Sequence, residues 1–163
     1  MPDKQRILAE VQSKLPEFLA QEGLPMSEAI NGLEQVAHAS SHAGQGHERL
    51  WQAMHQTMPE PLQSSYYAWV LKGKIYLDAA WEARGDGWAR DVTERQWKLM
   101  GARLSVARES LDKAWQLNPR DWRGPTLMLG VMLLDGSPDE EREAWFERAM
   151  KNNTNNTQAC FRK

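Results

Sequence analysis

Three of the four histidines fall in one polar, glycine-bearing stretch, residues 38–47, beginning His38-Ala-Ser-Ser-His42 and ending at His47. His38 and His42 are four apart, a spacing that would put two imidazoles on one helix face, as a zinc site needs. No Cys, Asp or Glu lies inside the stretch to complete a shell, and Gly44 and Gly46 oppose a continued helix. The stretch is expected to be a solvated loop without a metal. The second concentration of chemistry-bearing side chains is the corner Trp81-Glu82-Ala-Arg84-Gly-Asp-Gly-Trp88-Ala-Arg90-Asp91. Glu82 and Arg84 could hold a ligand between Trp81 and Trp88, the guanidinium stacking on an indole. Alternatively the charges pair and cap the flanking helices while the two indoles pack the corner. Cys160, with no histidine near it in sequence, suits an inert thiol better than a nucleophile. Asp139-Glu140-Glu141-Arg142-Glu143 opens a helix and complements its dipole. GxSxG, HExxH, GxxxxGKS and GxGxxG are all absent. Neither an enzyme nor a cofactor is expected.

At 163 residues and a formal charge of −2, from 20 Lys plus Arg against 22 Asp plus Glu, the chain suits one domain and not a bulk electrostatic nucleic-acid binder. Arg84, Arg90, Arg95, Lys98, Arg103, Arg108 and Lys113 form a basic side, but Asp91, Glu94, Glu109 and Asp112 dilute it into a solvated face. A single cysteine excludes an intrachain disulfide and suits a reducing, cytoplasmic setting. No apolar run is long enough to cross a membrane, and the first residues are too charged for a secretory signal.

The elements that must position these groups read as helices throughout. Ile7, Leu8, Val11, Leu15, Phe18 and Leu19 mark a first helix over residues 3–20, broken by Pro16; Ile30, Leu33 and Val36 mark a second after Ser27. A third runs over 47–58 with Leu50, Trp51, Met54 and Met58 on one side. Pro59-Glu60-Pro61 is a hinge, which divides an N-terminal helical segment, 1–62, packed on the rest, from a region 63–163. There Tyr66, Trp69, Gly73, Tyr76, Ala80 and Ala83 step by threes and fours along one long helix that Gly85-Asp86-Gly87 stops. Thr93, with Gln96 three residues on, is a capping box. The next stripe is Trp97, Met100, Leu104, Ala107, Leu111 and Ala114, ended by Asn118-Pro119. Two long antiparallel helices facing each other, with Trp69, Trp97 and Leu111 buried, are predicted.

These residues resemble the tetratricopeptide repeat pattern, W-x2-L-G-x2-Y, then A-x3-F, then Pro. Trp69, Gly73 and Tyr76 match its first helix, with Lys72 where Leu is usual. Ala107, Leu111, Ala114 and Pro119 match the second helix and closing turn. Gly73 and Ala114 are 41 positions apart, about 22 more than the pattern allows, which lengthens both helices. In a second unit Gly130 and Ala149 are 19 apart, the usual step. Asp121 and Ser137 stand as helix caps, Pro125 and Pro138 as first-turn prolines, and Thr126 and Thr154 replace the usual Trp and Pro. Residues 157–163 start another helix, which either caps the stack or continues into a longer protein; the abrupt stop favours a fragment. Separately, residues 78–93 and the helix after them resemble a bacterial family known only as a domain of unknown function, whose members carry AWEARG-x-G-x-A-x-x-VT ahead of a long helix. That family implies a fold and no activity.

The expected architecture is all-α: helical hairpins stacked as a short tetratricopeptide-like superhelix. The resemblance implies a concave binding face, made by Tyr67, Val70, Lys74, Leu77 and Asp78 in one unit and Gly124, Leu127, Val131, Leu134 and Asp135 in the next. The second set is almost wholly apolar, so the N-terminal helices, a second copy or a partner must cover it. The expected function is protein–protein interaction by a bacterial cytoplasmic module that takes a peptide or partner helix in this apolar groove. The alternatives are an immunity or adaptor protein for a cognate effector and, from another class, an enzyme using the Trp81–Asp91 corner.

Overall fold

A computed structural model describes residues 46–58 and 60–162, together with isolated positions between 6 and 35. The two helices expected before residue 38, and the histidine stretch up to residue 45, lie outside the described residues. Seven α-helices and one 3-10 turn account for nearly all the rest, and no strand occurs among the described residues.

α1 (His47–Thr57) is amphipathic: Leu50 and Met54, one turn apart, are buried. α2 (Glu60–Gln63) is a single turn that buries Leu62. α1 and α2 contribute to the same core. Leu50, Met54, Met58 and Leu62 form one core with Ala68, Leu71 and Ile75 of α3. α3 (Tyr66–Arg84) buries residues on every side, from Ala68 and Val70 through Leu77 to Ala83. An apolar, weakly amphipathic helix of this kind must be enclosed, and α1, α2, α4 and α5 enclose it.

α3 ends at Gly85, whose φ of 74° only glycine adopts without strain. The Arg84 guanidinium closes the turn by donating to the carbonyls of Gly85 and Gly87. A 3-10 turn (Ala89–Asp91) leads to α4 (Glu94–Leu117), which opens on the predicted Thr93–Gln96 capping box. Gln96 also donates from its side chain to the Arg84 carbonyl. Arg103 donates to the Ala79 carbonyl, and Gly73 faces Leu111. These three contacts fix α3 and α4 as an antiparallel hairpin.

α5 (Arg123–Asp135) follows a turn in which Asp121 accepts from the Arg123 backbone N–H at 2.8 Å and from the Tyr66 hydroxyl at 3.0 Å. The starts of α5 and α3 are thus tied together. α6 (Asp139–Asn152) returns after Gly136, itself left-handed at φ 70°. Ser137 is not the side-chain cap the sequence suggests. Its hydroxyl donates to Asp135 at 2.5 Å and accepts from Arg108 at 2.6 Å, because bonds to charged partners outweigh a neutral cap. α7 (Thr157–Arg162) opens on the buried Asn156, which accepts from the Ala159 N–H and donates to Thr126 of α5 at 2.6 Å.

Candidate interaction surface

The corner at the end of α3 is open rather than packed. Trp81 is 45% exposed and Trp88 76%, and Glu82 is exposed as well. Arg84 is not stacked on either indole; its Nη1 donates to both the Gly85 and Gly87 carbonyls. The stacked cations among the described residues lie elsewhere: Lys72 over Trp51 and Trp69, Arg123 over Trp122, and Arg148 over Trp115 and Trp145.

The expected concave face is largely internal. Val70 and Leu77 are 2% exposed and Val131 is fully buried. Tyr67, Lys74, Asp78, Leu127 and Leu134 are half-buried. Tyr67 lies against Tyr66, with ring centroids 3.8 Å apart, and Lys74 is paired with Asp78 at 3.0 Å. Two elements cover the apolar face. α3 packs directly on α5, so close that a β-carbon at Gly130 would stand 2.9 Å from Leu77 Cδ2. α7 crosses the same part of α5, and Arg162 donates to the Thr126 carbonyl at 3.1 Å. Burial lowers the Arg162 pKa, with Asp78 opposing the shift. The apolar face is therefore a contact between helices of this chain, not an open groove.

Open apolar surface lies instead where α4 runs beyond α5. Trp97, expected in the core, is 39% exposed. With Gly101, Ser105 and Leu134 it rims a groove of about 490 Å³ whose floor is the buried pair Met100 and Leu104. Trp97, Gly101 and Ser105 succeed one another every four residues, so they share one face of α4. A β-carbon at Gly101 would meet nothing within 4 Å. Glycine inside a helix costs roughly 1 kcal/mol relative to alanine, and no packing among the described residues requires it here. A second depression, of about 510 Å³, shares Ser105 and Arg108 with this groove and reaches Trp69.

One end of the groove is closed by charge. Arg108 bonds Asp135 at 2.6 Å and Glu141 at 2.8 Å, joining α4 to the end of α5 and the start of α6. Burial works against ionisation of Asp135, but hydrogen bonds from Ser137 and Arg108 outweigh it and hold the carboxyl below the usual range. Those pairings use the charges at this end, so what the groove offers is shape and apolar area. Among the described residues no group of three or more His, Cys, Asp or Glu side chains is placed to hold a metal ion, and no helix is long and apolar enough to cross a membrane. Periodicity predicts Trp69, Trp97 and Leu111 buried; only Leu111 is, while Trp69 is half-buried and Trp97 exposed, because a stripe does not say how far its cover extends. Gly101 and Ser105 carry no signal in the sequence beyond their small size.

These helices, with an open groove along the start of α4 whose charges are paired at one end, define an all-α protein. The chain belongs to the family described as Domain of unknown function (DUF4034), whose model matches residues 18–162. No curated protein and no solved structure matches it.

Proposed function

We propose that the chain is a tetratricopeptide-like interaction module of a bacterial cytoplasmic protein, and that the Trp97–Gly101–Leu134 groove receives a helix from a protein partner. The repeat reading is supported by the order of packing. α3 packs on α5 and α5 on α7, while α4 packs on α5 and α6 on α7, as the first and second helices of successive units would. The observation that carries the functional reading is the unfilled space over Gly101. A glycine and a serine one turn apart let a second helix backbone come close, while Trp97 and Leu134 flank it with apolar area. An immunity or adaptor role would use the same surface and differs only in what occupies it.

Paired affinity captures with wild type and Gly101→Arg as baits test this. A β-carbon at position 101 meets no described atom within 4 Å, so the arginine side chain starts in open space and extends over the groove, and the substitution raises helix propensity. Partners recovered by wild type and lost by Gly101→Arg, with the melting temperature kept, support the reading. An unchanged set of recovered proteins contradicts it. Light scattering on both baits shows whether the occupant is a second copy of the chain.

A further inference from the structure

A second cleft, away from that groove, has a different chemistry. It has a volume of about 740 Å³ and lies between the end of α4, the turn at Pro119 and the outer face of α6. Its wall carries three cations, Arg120, Arg148 and Lys151, and one acid, Glu147. The chain as a whole is slightly acidic, so this local excess of positive charge runs against the average. Elsewhere cations are tied to carboxylates: Lys74 to Asp78, Arg108 to Asp135 and Glu141, Arg123 to Asp121, Arg142 to Asp139. No hydrogen bond or ion pair among the described residues engages the side chains of Arg120, Arg148 or Lys151. A further acid, Asp112 of α4, lies outside the cleft wall; burial raises its carboxyl pKa and the Arg148 charge opposes that rise.

Arg148 is the best placed of the three. Its guanidinium carbon stands 4.3 Å from the Trp145 ring centre and 5.2 Å from that of Trp115. The two indoles meet edge to face, with centroids 5.9 Å apart, and Trp145 is buried. Stacking uses the face of a guanidinium and leaves its N–H edge to donate in plane, the geometry that matches a carboxylate bidentately. A fixed fork, two flanking exposed cations and an apolar floor of Trp115, Pro119 and Ala144 make a site for carboxylates beside an apolar side chain.

We infer that this cleft binds an acidic peptide segment, with one carboxylate on Arg148 and another between Arg120 and Lys151. Charge complementarity selects the occupant. Three cations against one acid suit one or two carboxylates, whereas a nucleic acid presents a charge every few ångströms and needs a longer basic track. The site is independent of the Gly101 groove, and its test leaves that groove untouched.

The probe is a fluorescein-labelled peptide with four glutamates flanking one leucine, titrated by anisotropy. Wild type is expected to bind at low salt and to weaken as salt rises. Arg120→Gln with Lys151→Gln, at two exposed positions, should lower affinity about tenfold with the helical spectrum unchanged. Arg148→Leu should abolish binding; if that variant also loses stability, the exposed pair still decides. Arg95→Gln with Lys98→Gln on the far part of α4 should have no effect. Absence of binding by wild type overturns the inference, as does an equal loss from the Arg95 and Lys98 changes. Tighter binding of a single-stranded RNA ten-mer that displaces the peptide would assign the cleft to nucleic acid and overturn it too.

Discussion

Leu111 occupies the place a side chain at Gly73 would need: a β-carbon built there would lie 2.6 Å from Leu111 Cγ and Cδ2. This contact sets the distance between the two long helices, because the missing side chain lets α3 and α4 approach and the leucine fills what remains. Gly73→Ala is therefore expected to destabilise by about 1–3 kcal/mol through overpacking, despite its better helix propensity. Leu111→Ala should cost about 2–5 kcal/mol. The double variant should cost less than the sum, since the smaller residue at 111 makes room for the methyl group. Urea unfolding of the three variants measures the coupling, and strict additivity would show that the two residues do not share the space.

The tryptophans divide by exposure. Trp145 is buried against Trp115 and Arg148, so Trp145→Ala should cost about 3–5 kcal/mol. Trp97 lies on the groove rim, 39% exposed, and Trp97→Ala should cost about 2–3 kcal/mol, in proportion to its smaller buried area. Chemical denaturation giving the reverse order would place Trp97 in the core.

His47 packs edge-on against Tyr76, with ring centroids 4.9 Å apart. Burial, then the positive charge of Arg103, lowers its pKa, with Glu48 opposing. A folded value below the unfolded one means the neutral ring is the stabilising form. Its contribution is complete above the unfolded pKa of about 6.5 and is lost as pH falls through the folded value. Thermal melts should show the midpoint falling from about pH 7.5 to about pH 5, and His47→Gln should flatten that slope. An unaltered slope in the variant would assign it to other groups.

Arg108 joins three helices through Asp135, Ser137 and Glu141. Arg108→Met should destabilise by about 1–3 kcal/mol, because it leaves Asp135 without its charged partner. The low Asp135 pKa adds stability that is present above the unfolded carboxylate value and lost as pH falls below it. The penalty of Arg108→Met should therefore shrink toward about pH 3. A penalty constant with pH, read from melts, would mean that the arginine acts through its packing.

Local signals were legible in the sequence. The Thr93–Gln96 box, the Gly85 stop and the stripe through Leu104 and Leu111 each depend on neighbours along the chain, and they place α3 and α4 within two residues of their observed ends. Facing was harder to read. From Leu127 to Leu134 only Gly130 interrupts the large apolar side chains of α5, so periodicity does not say which side is covered, and Val131 falls inside. Trp97 continues a perfect stripe but outruns its cover. α4 has 24 residues and α5 only 13, about 36 Å against about 20 Å, so the first turns of α4 have nothing of α5 above them. Ser137 reads as a cap because the partner that recruits it, Arg108, is 29 residues away. The groove arises from that length difference and from the open space over Gly101, neither of which any short pattern encodes.

A photo-crosslinking amino acid placed at Gly101 tests the docking surface most directly, with the same group at the exposed Glu143 on α6 as the control. In cells of the native host, illumination should join the chain to one discrete protein from position 101 and not from 143. Adding Leu134→Glu, which puts a charge into the groove, should remove the product while the helical spectrum persists. No crosslinked species at 101, or the same species from both positions, would contradict the groove as the functional surface.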